Sequence, residues 1–205
     1  MILNANFFAH DAVVVAQELL GKVLRVKYQT TWLAALIIET EAYYIYDKAS
    51  HASLGYTEKR KALFMSPGTI YMYYSRGGDS LNVSCLGEGN AVLIKAGFPY
   101  VTAPALTVMQ RLNPKRDHTI RSLEKLCAGQ TLLCKALGLK VKDWDKKQFN
   151  QKKFYIDDIG YHPQKIMRTQ RLGIPRGRDE HLPYRFVDYE YARFCTKNPL
   201  LTLRG

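Results

Sequence analysis

The stretch LAALIIETEAYYIYDKASH, residues 33–51, decides the fold of this chain. An apolar run comes first, and polar residues then alternate with apolar ones, which is typical of a buried β-strand whose far end emerges at a surface or cleft. Because side chains along a strand point alternately to opposite faces, the two carboxylates should share one face with a tyrosine. The first face carries Glu39, Glu41 and Tyr43, and the second carries Ile38, Thr40 and Ala42.

Two carboxylates therefore lie where a core strand reaches the surface of the protein. A rigid strand fixes the aim of its side chains, so Glu39 and Glu41 are both candidates for a general base. The alternative is an ordinary strand end with two solvated glutamates. The spacing of the residues alone does not choose between these interpretations.

The composition is that of a folded and strongly basic protein. The chain has 205 residues, of which 47% are hydrophobic and 12% aromatic, enough for the core of one domain. Its 30 Lys and Arg residues against 18 Asp and Glu residues give a formal net charge of +12 at pH 7. A broad positive potential attracts polyanions, so we expect a nucleic acid as partner; the alternative is a basic protein without such a partner.

The cysteines and the amino terminus indicate the compartment. Four cysteines are scattered without a Cys-x-x-Cys pair, so the sequence predicts neither a metal site nor an iron–sulfur cluster. The amino terminus lacks the pattern of a signal peptide, and no apolar run has the length of a membrane span. We therefore expect a protein with reduced thiols that lies inside the cell, in the cytoplasm or nucleoid, and does not bind membranes.

Periodicity predicts a sheet in the first half of the chain and helices after it. Helices are expected over residues 6–20, 106–112 and 121–139, the last interrupted by Gly129. Gly21 is a plausible C-terminal cap for the first helix. Strands are expected at residues 22–28, 33–38, 69–74, 81–85, 91–96, 154–159, 169–174 and 185–188.

Loops between these strands are where binding groups are expected. Residues 44–61 form an aromatic loop with a basic end, residues 75–80 a flexible connection, and the charged residues 140–153 an exposed one. Because Gly-rich turns separate the strands, we expect an α+β fold. This would be a single domain, residues 1–205, in which a curved, mostly antiparallel or mixed β-sheet is flanked by helices.

The sheet half of the chain combines residue types that suit a nucleobase. It joins the two carboxylates and many tyrosines with His51, Asn82 and Lys95, while no dinucleotide fingerprint, P-loop or Gly-x-Ser-x-Gly elbow is present. A base bound for chemistry is held between aromatic faces with polar groups at its edge, which requires this mixture. Two other interpretations stay open here: tyrosines that are only core residues, and a platform that stacks single-stranded nucleic acid.

Several motifs in a fixed order give the sequence a specific resemblance. They are ETEAY at residues 39–43, ASH at 49–51, FMSPGTIYMY at 64–73, NVS at 82–84 and GNAVLIKA at 89–96. This series resembles the alkyladenine (3-methyladenine) DNA glycosylase family. Residues 7–24, 126–137 and 171–174 are also similar to that family, so the resemblance covers nearly the whole chain.

The resemblance implies a DNA-repair enzyme that flips out alkylated purines and hydrolyses their N-glycosidic bond. Through the ETEAY match, Glu41 would be the general base that activates water for attack on the deoxyribose C1′. Tyr43 and His51 would stack on the base, Tyr73 would lie on its opposite side, and Asn82 would screen its edge. An alkylated purine is positively charged, so its glycosidic bond is already weakened and aromatic faces attract it.

Lys95 lies where the family typically has an arginine that helps to hold the water. A lysine supplies a single point charge without the planar fork of arginine. Its alternative role is that of a strand lysine whose charged end reaches solvent. No Schiff-base lysine is indicated beside the site, so we expect a monofunctional DNA N-glycosylase that needs no metal or organic cofactor and leaves the abasic site uncut. Glu39 is expected either to be structural or to support the residues that contact the substrate.

The connection after residue 73 departs from the family pattern. The family has a longer apolar hairpin with an intercalating tyrosine there, whereas this connection is shorter and polar. Tyr74 or Arg76 is a candidate to wedge the duplex open, or neither has that role. Other basic residues around the site are candidates for contacts with DNA phosphates. These are Lys59, Arg60, Lys61, Arg76, Arg176 and Arg178.

Damaged DNA is the partner that the resemblance implies, and the enzyme is expected to act as a monomer. The rival hypothesis is a non-catalytic single-stranded nucleic-acid-binding module that stacks undamaged bases on its tyrosine strands. It predicts no base release from methylated DNA, whereas the glycosylase hypothesis predicts abasic sites. His118, His162 and His181 match no functional position of the family.

Overall fold

The computed structural model describes residues 1–75 and 77–204 and consists of short helices around one large sheet. The α-helices are α1 (Ala5–Phe8), α2 (Ala12–Glu18), α3 (Ala103–Leu112), α4 (Leu123–Leu126), α5 (Gln130–Ala136) and α6 (Val141–Trp144). The strands are β1 (Val23–Tyr28), β2 (Thr31–Tyr43), β3 (Ile70–Ser75), β4 (Gly78–Ser84), β5 (Ala91–Pro99), β6 (Phe154–Asp157), β7 (Ile166–Thr169) and β8 (Arg185–Asp188). Short 3₁₀-helices lie at His51–Leu54, Lys61–Phe64, Tyr189–Phe194 and Pro199–Arg204.

These strands form a single curled sheet. Its order is β3-β4-β5-β2-β1-β6, and β8 pairs with β2 and carries β7 at its far edge. The pairings between these strands are antiparallel. The expected α+β class with a curved sheet is therefore confirmed, and of the two sheet types expected the antiparallel one is found.

Strand β2, which contains the apolar run and the ETEAY motif, lies at the centre of this sheet. One of its edges pairs with β5 over residues 35–43. The other edge is shared, because β1 pairs with residues 31–36 and β8 with residues 39–41. Both halves of the strand are therefore enclosed, and the carboxylates of its second half lie between two neighbouring strands.

Two bulges lie side by side in β2 and β5. The pairs around them are Ile37–Gly97, Glu39–Ala96 and Thr40–Ile94. Ile38 is therefore the extra residue in β2, and Lys95 is the extra residue in β5. Because an extra residue reverses the alternation of side chains, Ile38 and Glu39 point to the same face. The expectation that Ile38 shares a face with Thr40 is wrong: Ile38 packs with Val187, whereas Thr40 donates to Ala16.

Apolar side chains fill both faces of the sheet. The first cluster lies between the sheet and the helices and takes Leu33, Ala35 and Ile37 from β2. The second cluster lies on the opposite face under the chain after β8 and takes Ala34, Leu36 and Ile38. A third cluster, which includes Ala52, Leu63 and Tyr71, packs the loop after β2 against β3. Burial of these side chains supplies the main driving force for folding, and the third cluster supports the loop that carries His51.

Both long helices expected from the sequence are divided. The expected helix over residues 6–20 is wrong as a single element, because Asp11 accepts a hydrogen bond from the Val13 N–H and begins a new helix there. The expected helix over residues 121–139 is divided at Gly129, whose φ of 144° does not fit a helix. In the described residues no helix has the length and apolar character needed to cross a bilayer.

Three expected boundaries also differ from the structure. The strand expected over residues 169–174 is wrong, because β7 ends at Thr169 and residues 172–174 line a pocket. Strand β4 begins at Gly78, so part of the expected connection belongs to the β3–β4 hairpin. The segment 140–153 is not simply exposed, since it contains α6, and Trp144 and Phe149 pack against the first cluster.

The buried pair of Glu39 and Arg185 allows a test of this fold. Glu39 accepts hydrogen bonds from Arg185 Nε at 2.7 Å and from the Thr196 N–H at 3.1 Å. Breaking a buried pair leaves a charge uncompensated, so Glu39→Gln should lower the free energy of unfolding by about 3–5 kcal/mol in urea titrations followed by tryptophan fluorescence. Glu58→Gln, which breaks the exposed pair with Lys61, should leave the midpoint unchanged. Equal midpoints for the two variants would contradict this role of Glu39.

Candidate active site

A pocket of about 360 Å³ opens near the end of β2. Its walls come from β2, β3, β4 and β5, from the loop that follows β2, and from residues 172–175. The lining residues of most interest are Tyr43, His51, Tyr73, Asn82, Lys95 and Leu172. The structure thus brings together in one cavity the four residues that the sequence assigns to base contact.

The carboxylate of Glu41 lies behind the wall of this pocket. Its side chain is fully buried and does not contribute to the lining. Oε1 accepts a hydrogen bond from the Leu172 N–H at 3.0 Å. Oε2 accepts from the Tyr43 hydroxyl at 2.7 Å and from the Lys95 ammonium at 3.3 Å. All three donors belong to lining residues, so one layer of groups separates this charge from the cavity.

Lys95 compensates the charge of Glu41 from the neighbouring strand. Leu93 pairs with Glu41 in the ladder, and Lys95 follows two residues later on the same face. Its side chain is only 9% exposed, and Nζ lies 3.3 Å from Oε2 of Glu41. The alternative of a strand lysine extended into solvent is therefore wrong. A buried carboxylate and a buried ammonium stabilise each other here.

Tyr43 connects the carboxylate with the pocket. Burial, followed by the charge and the hydrogen bond of Glu41, raises the pKa of Tyr43 well above its usual value, so the hydroxyl stays protonated and donates. The guanidinium carbon of Arg171 lies 4.5 Å from the centroid of the Tyr43 ring. Because Arg171 is buried outside the pocket lining, the opposite face of the ring is the one that faces the cavity.

His51 lies at the exposed rim of the pocket beside two tyrosines. Its Nδ1 is 2.8 Å from the Tyr71 hydroxyl, and its ring centroid is 4.5 Å from that of Tyr73 in an edge-to-face contact. Desolvation, and then the charges of Arg60 and Arg178, lower the pKa of His51 from its ordinary value of 6.5. The ring is therefore uncharged at neutral pH.

The grouping of the aromatic residues differs from the expected one. Tyr73 was expected on the side of the base opposite His51, but the two rings are in direct contact and leave no space for a base between them. A base in the pocket would contact Tyr43 on one side, and the pair formed by His51 and Tyr73 would lie together at another side of the cavity. Asn82 lies on β4, where its Nδ2 donates to the Tyr71 carbonyl at 3.2 Å and so orients the amide beside the cavity.

Sequence reasoning missed three residues that complete the site. Arg171 donates from Nη1 to the carboxylate of Asp47, and the N–H of Leu172 holds Glu41. A signal was present, because Arg171 and Leu172 belong to the region 171–174 that resembles the family, and Asp47 closely precedes the ASH motif. The expectation of a strand over residues 169–174 hid this signal, because an extended strand there would not turn these residues toward the pocket.

The residues predicted to contact DNA have different environments. The exposed ones are Tyr74 at 69%, Lys59, Lys61, Arg176 and Arg178. Arg60 instead donates to backbone carbonyl oxygens of the preceding loop, at 2.9 and 3.1 Å. Arg178 lines the pocket and donates from Nε to the Lys48 carbonyl at 2.8 Å. Arg76 lies outside the described residues. The exposed members of this set remain the stronger candidates for phosphate contacts.

The remaining histidines and the cysteines lie outside the pocket lining. The histidines at positions 118, 162 and 181 are exposed. The four cysteines are buried and free, and burial raises the pKa of each thiol above its usual value. Such thiols are unreactive side chains of the core. Within residues 1–75 and 77–204, no group of His, Cys, Asp and Glu side chains is placed to hold a metal ion.

Comparison with known proteins identifies the family of this chain. Residues 6–192 match the model of the family described as Methylpurine-DNA glycosylase (MPG). A protein of Pseudomonas syringae pv. tomato is 62% identical over 202 residues, which cover 97% of this chain and 91% of the relative. A protein of Clostridium beijerinckii is 35% identical over 193 residues, which cover 91% and 95%. Both carry the name "Putative 3-methyladenine DNA glycosylase". This chain belongs to the methylpurine-DNA glycosylase family and is a DNA N-glycosylase.

Proposed function

We propose that this enzyme hydrolyses the N-glycosidic bond of alkylated purines in DNA, among them 3-methyladenine, and leaves an abasic site. The observation that carries the proposal is the fully buried carboxylate of Glu41, whose three hydrogen-bond donors all line one pocket. The names of the relatives, which mention 3-methyladenine, favour the same class of lesion.

Aromatic rings give the pocket its affinity for an electron-poor base. The damaged nucleotide leaves the duplex stack, because its glycosidic bond is not accessible to a buried carboxylate otherwise. Its base stacks on the open face of Tyr43, with His51 and Tyr73 at another side of the cavity and Asn82 at its edge. Cation–π attraction favours a positively charged purine. An uncharged His51 does not oppose that attraction.

Glu41 acts as the general base in this proposal. Water reaches the carboxylate between Tyr43 and Lys95, which separate it from the cavity, and attacks C1′ as the bond from C1′ to the purine nitrogen breaks. The electron pair of that bond goes to the purine, so an alkylated cation leaves as a neutral base. A proton of the water passes to Glu41, and the carboxylate stabilises the positive charge that develops on the sugar.

Lys95 has an electrostatic role in this reaction. Its ammonium limits the negative charge of the site and holds the attacking water beside Glu41. Because it is an ammonium bound to a carboxylate, it is not the free amine that a Schiff base with the abasic sugar would require. This pairing supports a monofunctional enzyme that leaves the DNA strand uncut. That no cofactor is needed stays a prediction.

Tyr74 is our candidate for the side chain that fills the gap left by the flipped nucleotide. It is 69% exposed near the end of β3, one residue after Tyr73 of the pocket. An exposed aromatic ring stacks on neighbouring bases without sequence preference. The exposed Lys59 and Arg176 would neutralise phosphates of the damaged strand. Action as a monomer, in the cytoplasm or nucleoid, stays a prediction.

The first test removes the proposed general base. Glu41→Gln keeps the size of the side chain but cannot accept a proton, so single-turnover release of 3-methyladenine from methylated DNA should fall at least about 100-fold. Binding of the same DNA should persist. Glu88→Gln, which changes an exposed glutamate in the turn before β5, is the matched control and should retain full activity. Full activity of Glu41→Gln would remove Glu41 from the mechanism.

The second test separates the two roles of Tyr43. Tyr43→Phe keeps the ring and removes the hydrogen bond to Glu41, so we expect slower base release with little change in affinity for lesion DNA. Tyr43→Ala and His51→Ala remove aromatic surface and should weaken affinity as well, by roughly 1–3 kcal/mol per ring. Binding titrations and single-turnover rates on a 7-methylguanine duplex measure both quantities. If neither alanine variant affects excision, the base does not occupy this pocket.

The third test uses the depressed pKa of His51. At about pH 7.5 the ring is uncharged, and acidification through its pKa adds a positive charge beside the base. Arg60 and Arg178 already supply positive potential there. Excision of cationic 7-methylguanine should therefore fall more steeply toward pH 5 than excision of neutral hypoxanthine, and His51→Gln should abolish the difference. Parallel pH profiles for both lesions in the unmodified enzyme would contradict a neutral His51 at the base.

A further inference from the structure

Arg171 and Asp47 form a fully buried ion pair directly behind the ring of Tyr43. Arg171 Nη1 donates to the Asp47 carboxylate and, at 3.1 Å, to the Ala42 carbonyl beside Tyr43. Its guanidinium carbon lies 4.5 Å from the Tyr43 centroid and 5.5 Å from that of Tyr184. The guanidinium therefore lies close to two tyrosine rings, one of which borders the pocket.

The hydrogen bonds of Arg171 leave one side of its guanidinium unpaired. Within the described part of the chain, its Nε is the sole buried side-chain nitrogen or oxygen without a hydrogen-bond partner. A pair with a purely structural role would gain by forming the two parallel bonds that arginine makes with a carboxylate. The guanidinium instead lies where it supports the Tyr43 ring, and one N–H is left unpaired.

The charge of Arg171 has a consequence for a cationic base. The base would stack on the face of Tyr43 opposite Arg171, so the two positive charges would lie roughly 8 Å apart with one ring between them. At an effective dielectric constant of about 20, an uncompensated repulsion at that distance reduces affinity by roughly tenfold to thirtyfold. Asp47, in direct contact with Arg171, cancels most of this repulsion. Lys95 and Glu41 form the corresponding neutral pair beside the hydroxyl of Tyr43.

Building on the function proposed above, we infer that Arg171 is a positioning residue that holds the Tyr43 ring for stacking, and that Asp47 determines specificity by cancelling the charge of Arg171. The pair gives Tyr43 a rigid support without net charge. A positively charged purine can then occupy the open face of the ring. The preference for charged over neutral lesions thus depends on a carboxylate that does not itself touch the base.

Two lesions of equal shape and different charge provide the test. One duplex carries 7-methylguanine on a 2′-fluoroarabinose sugar that slows hydrolysis, and the other carries the uncharged 7-deaza-7-methylguanine. The measured quantity is the ratio of the two dissociation constants, cationic over neutral, which does not depend on the active fraction of a preparation. Asp47→Asn leaves Arg171 unpaired and should raise this ratio about tenfold.

Variants of Arg171 provide the matched controls. Arg171→Met should weaken binding of both duplexes because Tyr43 loses its support, and it should lower the ratio because Asp47 is left as a net negative charge. The double variant, Asp47→Asn with Arg171→Met, should restore the ratio to within about threefold of the unmodified enzyme while binding of both duplexes stays weak. If Asp47→Asn does not fold, the comparison of Arg171→Met with the double variant isolates the charge of Asp47.

The outcomes separate this inference from the function on which it rests. An equal change for both duplexes in every variant would show a merely structural pair and overturn the inference. Failure of the unmodified enzyme to release alkylated purines, or to prefer either lesion duplex over undamaged DNA, would instead overturn the proposed function. A raised ratio in Asp47→Asn together with a restored ratio in the double variant would establish the charge compensation.

Discussion

A carboxylate buried behind the wall of the pocket is the constraint on which this site depends. The charge of Glu41 is stable in the interior only where hydrogen-bond donors surround it. Those donors come from three segments that are distant in sequence: β2 itself through Tyr43, β5 through Lys95, and the chain after β7 through Leu172. Strand pairing brings the first two together, and the chain after β7 must close against them to supply the third. The carboxylate thereby fixes the wall of the pocket.

The bulges in β2 and β5 explain how β2 contributes side chains both to the hydrophobic core and to the site. In the first half of β2, alternate residues such as Leu33 and Ala35 face the helices. If that alternation continued unbroken, Glu39 and Glu41 would also face the helices, among apolar side chains that offer no donors. The extra residue Ile38 reverses the alternation and turns both carboxylates to the other face. The compensating extra residue in β5 lets the ladder continue to Tyr43.

The sequence predicts the central strand of this site but not the contacts of Asp47, Arg171 and Leu172 around it. The apolar run predicts the central strand, because hydrophobic patterning is visible in one short stretch. The resemblance of the ETEAY motif to the family, and not its spacing, nominates Glu41 as the general base. Arg171 could not be paired with Asp47 in the same way, since 124 residues separate them and only the folded chain brings them together. The bulge is hidden for another reason: both halves of β2 alternate regularly, and only the pairing with β5 reveals the extra residue.

Two adjacent residues, Arg171 and Leu172, perform two different tasks. The guanidinium of the first lies 4.5 Å from the centroid of the Tyr43 ring, and the backbone N–H of the second donates to the Glu41 carboxylate. On the proposed function, a shift of this short segment would disturb lesion binding and bond cleavage together. Leu63 and Ala91 also line the pocket, and neither takes part in these two interactions. On the same proposal, substitutions there would change the shape of the cavity without removing the backbone donor that holds Glu41.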